Sequence, residues 1–439
     1  MNTAHDPVVP DADGGVEMTG RRTLFLLSLG LFFIWGFATV LIDILVPKLK
    51  GLFSLSYAEV MLTQFAFFLG YLVFSLPAGN LVARLGYMRG IVAGLGVMAI
   101  GCLLFAPAAR LGLFPGFLLA LFIMSAGITI LQVAANAVIS VAGSSETSSS
   151  RLTLAQGFNS LGTTIGPLIG AKLVLEGGVD LPADISSLAP DALEALRRAE
   201  SAAVQTPFLG IAALLAVLLL VFWVKRNLLP DAAHDKAAND NAGGLGFGLL
   251  ANRRLLFGVI AIFTYVGAEV SIGSLLANYL MQPSTLGVVA LRAGQLVSLY
   301  WGGAMVGRFI GSYILGKFSP GWVLATCAAG AIVLASTSAL SVGLLAAVAI
   351  LGVGLFNSIM FPTIFALSIE GFGDDTPKAS ALLCMAIVGG AIVPVVTGAM
   401  ADRTGLAPAL IVPIICYAWI VFFGRYVARQ AAAAHAHGS

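Results

Sequence analysis

Runs of about twenty apolar residues recur roughly twelve times along this chain. A helix of that length crosses about 30 Å of bilayer hydrocarbon. In lipid, only helices and closed barrels satisfy their own backbone polar groups. The runs lie near 24–46, 58–82, 88–109, 113–142, 152–175, 205–226, 256–281, 290–315, 321–340, 343–370, 376–400 and 406–429. They predict an all-α membrane protein with twelve transmembrane helices. Only 10% of the 439 residues are charged and 59% are hydrophobic, against roughly 25% charged in a soluble domain. The formal net charge of +2 argues against nucleic acid as a partner.

Two polar stretches interrupt the pattern. Residues 177–204 form an insert in which "APDALEALRRAESAA" reads as a short amphipathic surface helix. Residues 227–254 separate two blocks of six spans. The expected organisation is a tail at 1–23, a six-helix bundle at 24–226, a linker at 227–254, a second bundle at 255–429 and a tail at 430–439. Segments holding Arg21, Arg22 and the linker are richer in Lys and Arg than the opposite side, so both termini and the linker are expected in the cytoplasm and the insert outside. Residues 1–20 are polar and slightly acidic, which does not describe a signal peptide.

The blocks resemble each other. Phe32 precedes Gly36 by four residues in span 1, as Phe263 precedes Gly267 in span 7. Gly162 precedes Pro167 by five in span 5, as Gly389 precedes Pro394 in span 11. A duplicated six-span unit follows, giving two pseudo-symmetric bundles with a site near the midplane between them.

Some polar residues demand an account. Asp43 in "WGFATVLIDILVPKLK" and Glu269 in "FTYVGAEVSIGSLLANYL" lie deep inside apolar runs. A carboxylate there must face a wet cavity, pair with a cation or carry a proton. Pairing with Arg308 in span 8 is the structural account; alternate binding and release of a cation is the functional one. Amides cluster as well. Gln132 and Asn136 are four apart in span 4, and Gln156, Asn159 and Thr163 share a face of span 5. Gln64, Asn278 and Asn357 stand in spans 2, 7 and 10. Each alone reads as an interhelical hydrogen bond. Together, beside Trp35 and Trp301, they suit a neutral polyhydroxylated ligand. Amides bond its hydroxyls, and an aromatic face covers its C–H surface.

The four cysteines lie in apolar runs with no CxxC pair, and the four histidines lie in the tails or linker. No disulfide, zinc site, cofactor or catalytic set is expected, and the chain reads as no enzyme.

These same stretches carry a family likeness. "FFIWGFATVLIDILVPKLK", "ITILQVAANAV", "SSRLTLAQGFNSLGTTIGPLIG", "YVGAEVSIGS" and "FNSIMFPTIFAL" resemble the major facilitator superfamily, and within it the fucose and glucose/galactose permeases. The resemblance implies proton- or sodium-coupled sugar symport. It assigns Asp43 to cation coupling, with Na⁺ as one candidate there, and Trp35 to the cavity. It matches Gln156 and Asn159 to sugar-contacting amides. Gln132 stands where the fucose permease has a second coupling glutamate, and Phe361 where it has a tyrosine. Glu269 matches the acidic position of the glucose/galactose members. The family's Asn before the span 1 aspartate is Ile42, its Pro after the span 4 Asn is Ala137, and the usual aspartate of "GNLVARLGYMRG" is Ala83.

The expectation is a monomeric inner-membrane importer of a glucose- or galactose-like hexose, coupled to H⁺ or Na⁺. An antiporter exporting drugs or lipids would want a greasier cavity. A sugar sensor would bind without flux.

Overall fold

The computed structural model describes residues 23–39, 57–111, 114–141, 143–175, 190–226 and 246–438. In the N-terminal half, α1 runs Thr23–Thr39. Then come α2 Tyr57–Leu85, α3 Tyr87–Leu111, α4 Phe114–Val141, α5 Ser148–Leu175 and α6 Pro190–Val224. The second half begins with α7 Arg253–Met281, α8 Ala290–Leu315 and α9 Pro320–Leu340. The tenth span divides into α10 Gly343–Asn357 and α11 Met360–Ile369. The eleventh divides into α12 Thr376–Met385 and α13 Gly389–Thr404, and the last into α14 Leu406–Ala409 and α15 Ile411–Gly438. Among the described residues, eight helical stretches are long and apolar enough to cross a membrane.

Local chemistry sets the helix ends. Gly86, at φ +81°, follows α2 in the left-handed conformation that closes a helix. Asn252 caps α7 by accepting from the backbone N–H groups of Arg254 and Leu255. Pro320 opens α9 at a position where its missing N–H costs nothing.

Besides the divided eleventh and twelfth spans, each read as one helix, three elements depart from the sequence reading. The helix expected within the insert is present but does not end: residues 190–204 continue into the sixth span. Pro190 starts the helix, and the Ala-, Leu- and Glu-rich stretch behind it has high helix propensity. Thirty-five residues make about 52 Å, well beyond bilayer thickness. Next, α15 runs on through the expected tail to Gly438. Finally, the tenth span, read as one helix, is broken at Ser358–Ile359.

Packing repeats between the halves. In the first, α2 packs on α4 and α3 on α6; in the second, α8 packs on α10 and α9 on α15. Of the glycines paired in the sequence, Gly162 and Gly389 make similar contacts. A Cβ on Gly162 of α5 would strike the Phe33 carbonyl of α1, and a Cβ on Gly389 of α13 would strike the Phe263 carbonyl of α7. With no hydrophobic force between helices in lipid, such close backbone approach is what holds them together.

The halves meet where α2 ends and α5 begins. Gly79 packs on Ala381 and Pro377. Ser150 Oγ donates to the Ser312 carbonyl at 2.7 Å, and Ser312 Oγ donates back to the Ser150 carbonyl at 2.9 Å. Contact continues up α5 and α8 through Gly157 against Phe309 and Thr164 Oγ1 to Met305 Sδ at 3.3 Å. One turn further along α8, Trp301 is 45% exposed.

Candidate functional site

In the N-terminal half, buried amides are tied in pairs. Tyr71 on α2 donates its hydroxyl to Gln132 Oε1 on α4 at 2.8 Å. Gln156 Nε2 on α5 donates to Asn136 Oδ1 at 3.3 Å. Asn159 Nδ2 donates to the Phe32 carbonyl on α1 at 3.0 Å. Trp35, buried beside Phe32 with ring centroids 5.3 Å apart, lies one turn along α1. Gln132, Asn136, Gln156, Asn159 and Trp35 are thus brought together. Thr163, read as sharing their face, instead turns its hydroxyl back to the Ser160 carbonyl. The α5 face that meets the other half is Thr153, Gly157, Ser160 and Thr164.

The C-terminal half centres on the broken tenth span. Pro362 has no N–H to offer the Ser358 carbonyl four residues earlier. Arg308 of α8 supplies a donor instead, Nε to the Ser358 oxygen at 3.3 Å. The neighbouring Asn357 carbonyl accepts from the Tyr265 hydroxyl at 3.1 Å, and the same hydroxyl reaches Glu269 Oε1 at 2.7 Å. Asn357 Nδ2 donates to the Tyr300 hydroxyl at 2.8 Å. Tyr417 is fully buried beside this group. Phe361 packs against Tyr265 with centroids 6.5 Å apart.

Glu269 and Arg308 are near enough for their charges to interact. Among the described residues they make no ion pair, and the guanidinium is spent elsewhere. Besides Ser358, it donates through Nη1 to Ser160 Oγ, across the junction between halves. The pairing that would make Glu269 merely structural is therefore absent from this arrangement.

Trp301 covers Gly273, one turn along α7 from Glu269, with a ring carbon 3.0 Å from where a Cβ would stand. Asn278 is exposed and lies nine residues beyond Glu269, about 13 Å along the helix; it does not join the cluster. Gln64 lies on α2, and its side chain is outside the described residues, as are Asp43 and Ile42. The sequence reading overlooked Tyr71, Tyr265, Tyr300, Tyr417 and Ser160, which organise the two clusters. Pro362 was the available signal for the helix break.

Chemically, the two clusters offer neutral donors and acceptors from one half and a hydrogen-bonded carboxylate from the other. Ser160 and Arg308 connect them. Among the described residues, no three His, Cys, Asp or Glu side chains gather as for a metal ion.

Known proteins resemble this chain over most of its length. The glucose/galactose transporter of Brucella abortus (strain 9-941) is 48% identical over 395 residues, 90% of this chain and 91% of its own. The L-fucose-proton symporter of Escherichia coli (strain K12) is 36% identical over 414 residues, 93% of each chain. Among solved structures, the transporter FucP in its outward conformation superposes with a TM-score of 0.86 at 34% identity, covering 93% of this chain and 99% of FucP. The sequence profile of the Major Facilitator Superfamily matches residues 24–394. The chain belongs to the Major Facilitator Superfamily, and it is a membrane transporter rather than an enzyme.

Proposed function

We propose that this transporter imports a neutral hexose, glucose- or galactose-like rather than fucose, by symport with H⁺ or Na⁺. The supporting observation is a division of labour. Uncharged amides gather in one half, and a carboxylate held by Tyr265 stands at the helix break of the other. The similarity to glucose/galactose and fucose–proton transporters points the same way. Gln132 adds to the choice against fucose, because it puts an amide where the resemblance expects a second acid.

In this reading Gln132, Asn136, Gln156, Asn159 and Asn357 bond the sugar hydroxyls. Trp35, Trp301 and Phe361 cover its apolar surface, and Gln64 completes the lining. Asp43 and Glu269 take up the cation. Neutralising them lowers the cost of closing the cavity, and the halves then rock about the site. The seal between α5 and α8 faces the cytoplasm of the inner membrane, with both termini on that side, and the working unit is the monomer. One cation crossing 100 mV supplies about 2.3 kcal/mol, enough for roughly fifty-fold accumulation.

The test is uptake of labelled glucose, galactose and fucose into proteoliposomes under separate proton and sodium gradients. Gradient-driven glucose or galactose accumulation is expected. Sugar binding without flux would make the protein a sensor. No sugar movement under any gradient overturns the reading, and amphiphile efflux is then assayed.

A further inference from the structure

Arg308 occupies an unusual position for a charge inside the membrane. Its guanidinium joins three things: Ser160 of the opposite half, the Ser358 carbonyl freed by Pro362, and the field of Glu269. Ser160 belongs to α5 and Arg308 to α8, the two helices whose contact closes one end of the molecule. Opening that end must therefore break the Ser160 bond, while Ser358 and Glu269 stay with Arg308 in the same half.

Glu269 in turn is held by Tyr265, whose hydroxyl also grips the Asn357 carbonyl. Tyr265, which also holds the acid, and the guanidinium thus clamp adjacent carbonyls of one broken helix. The groups whose charge or hydroxyl bears on Glu269 are Tyr265, Arg308, Tyr300 and Tyr417. Arg308 is the cation among them. A guanidinium carries five donors, so it keeps free N–H groups beyond the two bonds described.

We propose that Arg308 is a positioning residue that reports closure of the two halves to Glu269. With the end sealed, Ser160 and Ser358 hold the guanidinium away from the acid, and Glu269 is free to bind its cation. When α5 withdraws, the guanidinium loses Ser160, turns to Glu269 and displaces the cation into the opened side. Cation binding must then favour the sealed state by the same factor that sealing favours cation binding. The inference rests on the cation-coupled reading above but not on the identity of the sugar.

The experiment follows the seal directly. Ser150→Cys with Ser312→Cys places thiols where the native hydroxyl oxygens are 3.4 Å apart, and disulfide formation in proteoliposomes is timed. In this background, with diamide as oxidant and each rate divided by that of free cysteine at the same pH to remove the change in thiolate fraction, crosslinking is expected to quicken about five-fold or more on acidification or on adding Na⁺. Glu269→Gln should crosslink fast without that dependence. Arg308→Gln should also lose it, Arg308→Lys should keep it with a displaced midpoint, and Ser160→Ala should slow crosslinking under every condition. If Arg308→Gln slows crosslinking but leaves the dependence intact, the guanidinium is only part of the seal and the proposal fails. It fails too if the parent ignores both cations, or if Arg308→Lys matches the parent in rate and midpoint. A parent with cation-dependent crosslinking that moves no hexose overturns the sugar reading and leaves this one standing.

Discussion

In the N-terminal half the described amides are neutral, with Gln132, Asn136 and Gln156 buried and Asn159 half-buried, each bonded to a neighbouring helix. In the C-terminal half the corresponding space holds three buried tyrosines around Asn357, with Glu269 and Arg308 beside them. The scaffold is the same, since Gly162 meets Phe33 as Gly389 meets Phe263. A duplicated unit has thus kept its packing and diverged in its chemistry. Packing in lipid depends on small residues at the close approach, which leaves the inward-facing positions free to change. Shared scaffold and unequal chemistry should respond differently to mutation.

The largest effect is expected where the halves agree. Gly162→Val and Gly389→Val each drive a branched side chain into a backbone carbonyl that cannot move without separating two helices. Both variants should fail to yield folded protein, read as monodisperse yield in detergent. Unequal outcomes would break the equivalence of the two contacts.

Next comes the acid of the C-terminal half. Glu269→Gln keeps the shape and an acceptor for Tyr265 but removes the charge. Accumulation should fall from roughly fifty-fold to none, with counterflow exchange retained. Asp43→Asn beside it asks whether the N-terminal half also carries a coupling charge. Loss in both variants divides the cation between halves; loss in Glu269→Gln alone sharpens the contrast.

The amides should behave otherwise. Gln132→Leu removes one hydrogen-bonding side chain and leaves the Tyr71 hydroxyl short of its acceptor. A net loss near 1 kcal/mol predicts a rise in sugar KM of about ten-fold at most. The cation dependence of uptake should be unmoved. A change in cation dependence would show that the N-terminal half is more than a hydroxyl-binding surface.

Much of this was legible in the sequence because membranes punish polarity. A lone Glu269 among apolar residues announces itself, and so do amides repeated at helical spacing. The glycine pairs were legible because the repeat preserved their spacing to Phe and Pro. The tyrosines were not, because a span with Tyr265, Tyr300 or Tyr417 still reads as apolar, and the bonds from Tyr265 and Tyr300 to Asn357 reach a distant helix. Likewise "FNSIMFP" sits in an unbroken apolar run, so hydropathy passes over the break that Pro362 implies. The bond between Ser160 and Arg308 is 148 residues long in sequence, and no local pattern encodes it.

The smallest effect should come from charges at the helix ends, where the halves again differ. Arg151 closes the end of α4, donating to the carbonyls of Ile139, Ser140 and Ser144 and to Thr147 Oγ1. Arg254 pairs with Glu370, joining the start of α7 to the end of α11. Arg254→Ala removes a half-exposed ion pair, which is screened by water and side-chain entropy, and should cost less than about 1 kcal/mol. Arg151→Ala strips several helix-end carbonyls of a charged donor and should cost about 1–3 kcal/mol. Thermal unfolding in detergent ranks the two. Arg151→Ala should melt lower, and the gap should persist in high salt, because carbonyls at a helix end need donors whatever the ionic strength. Equal melting would mean that water reaches the end of α4 and replaces the guanidinium.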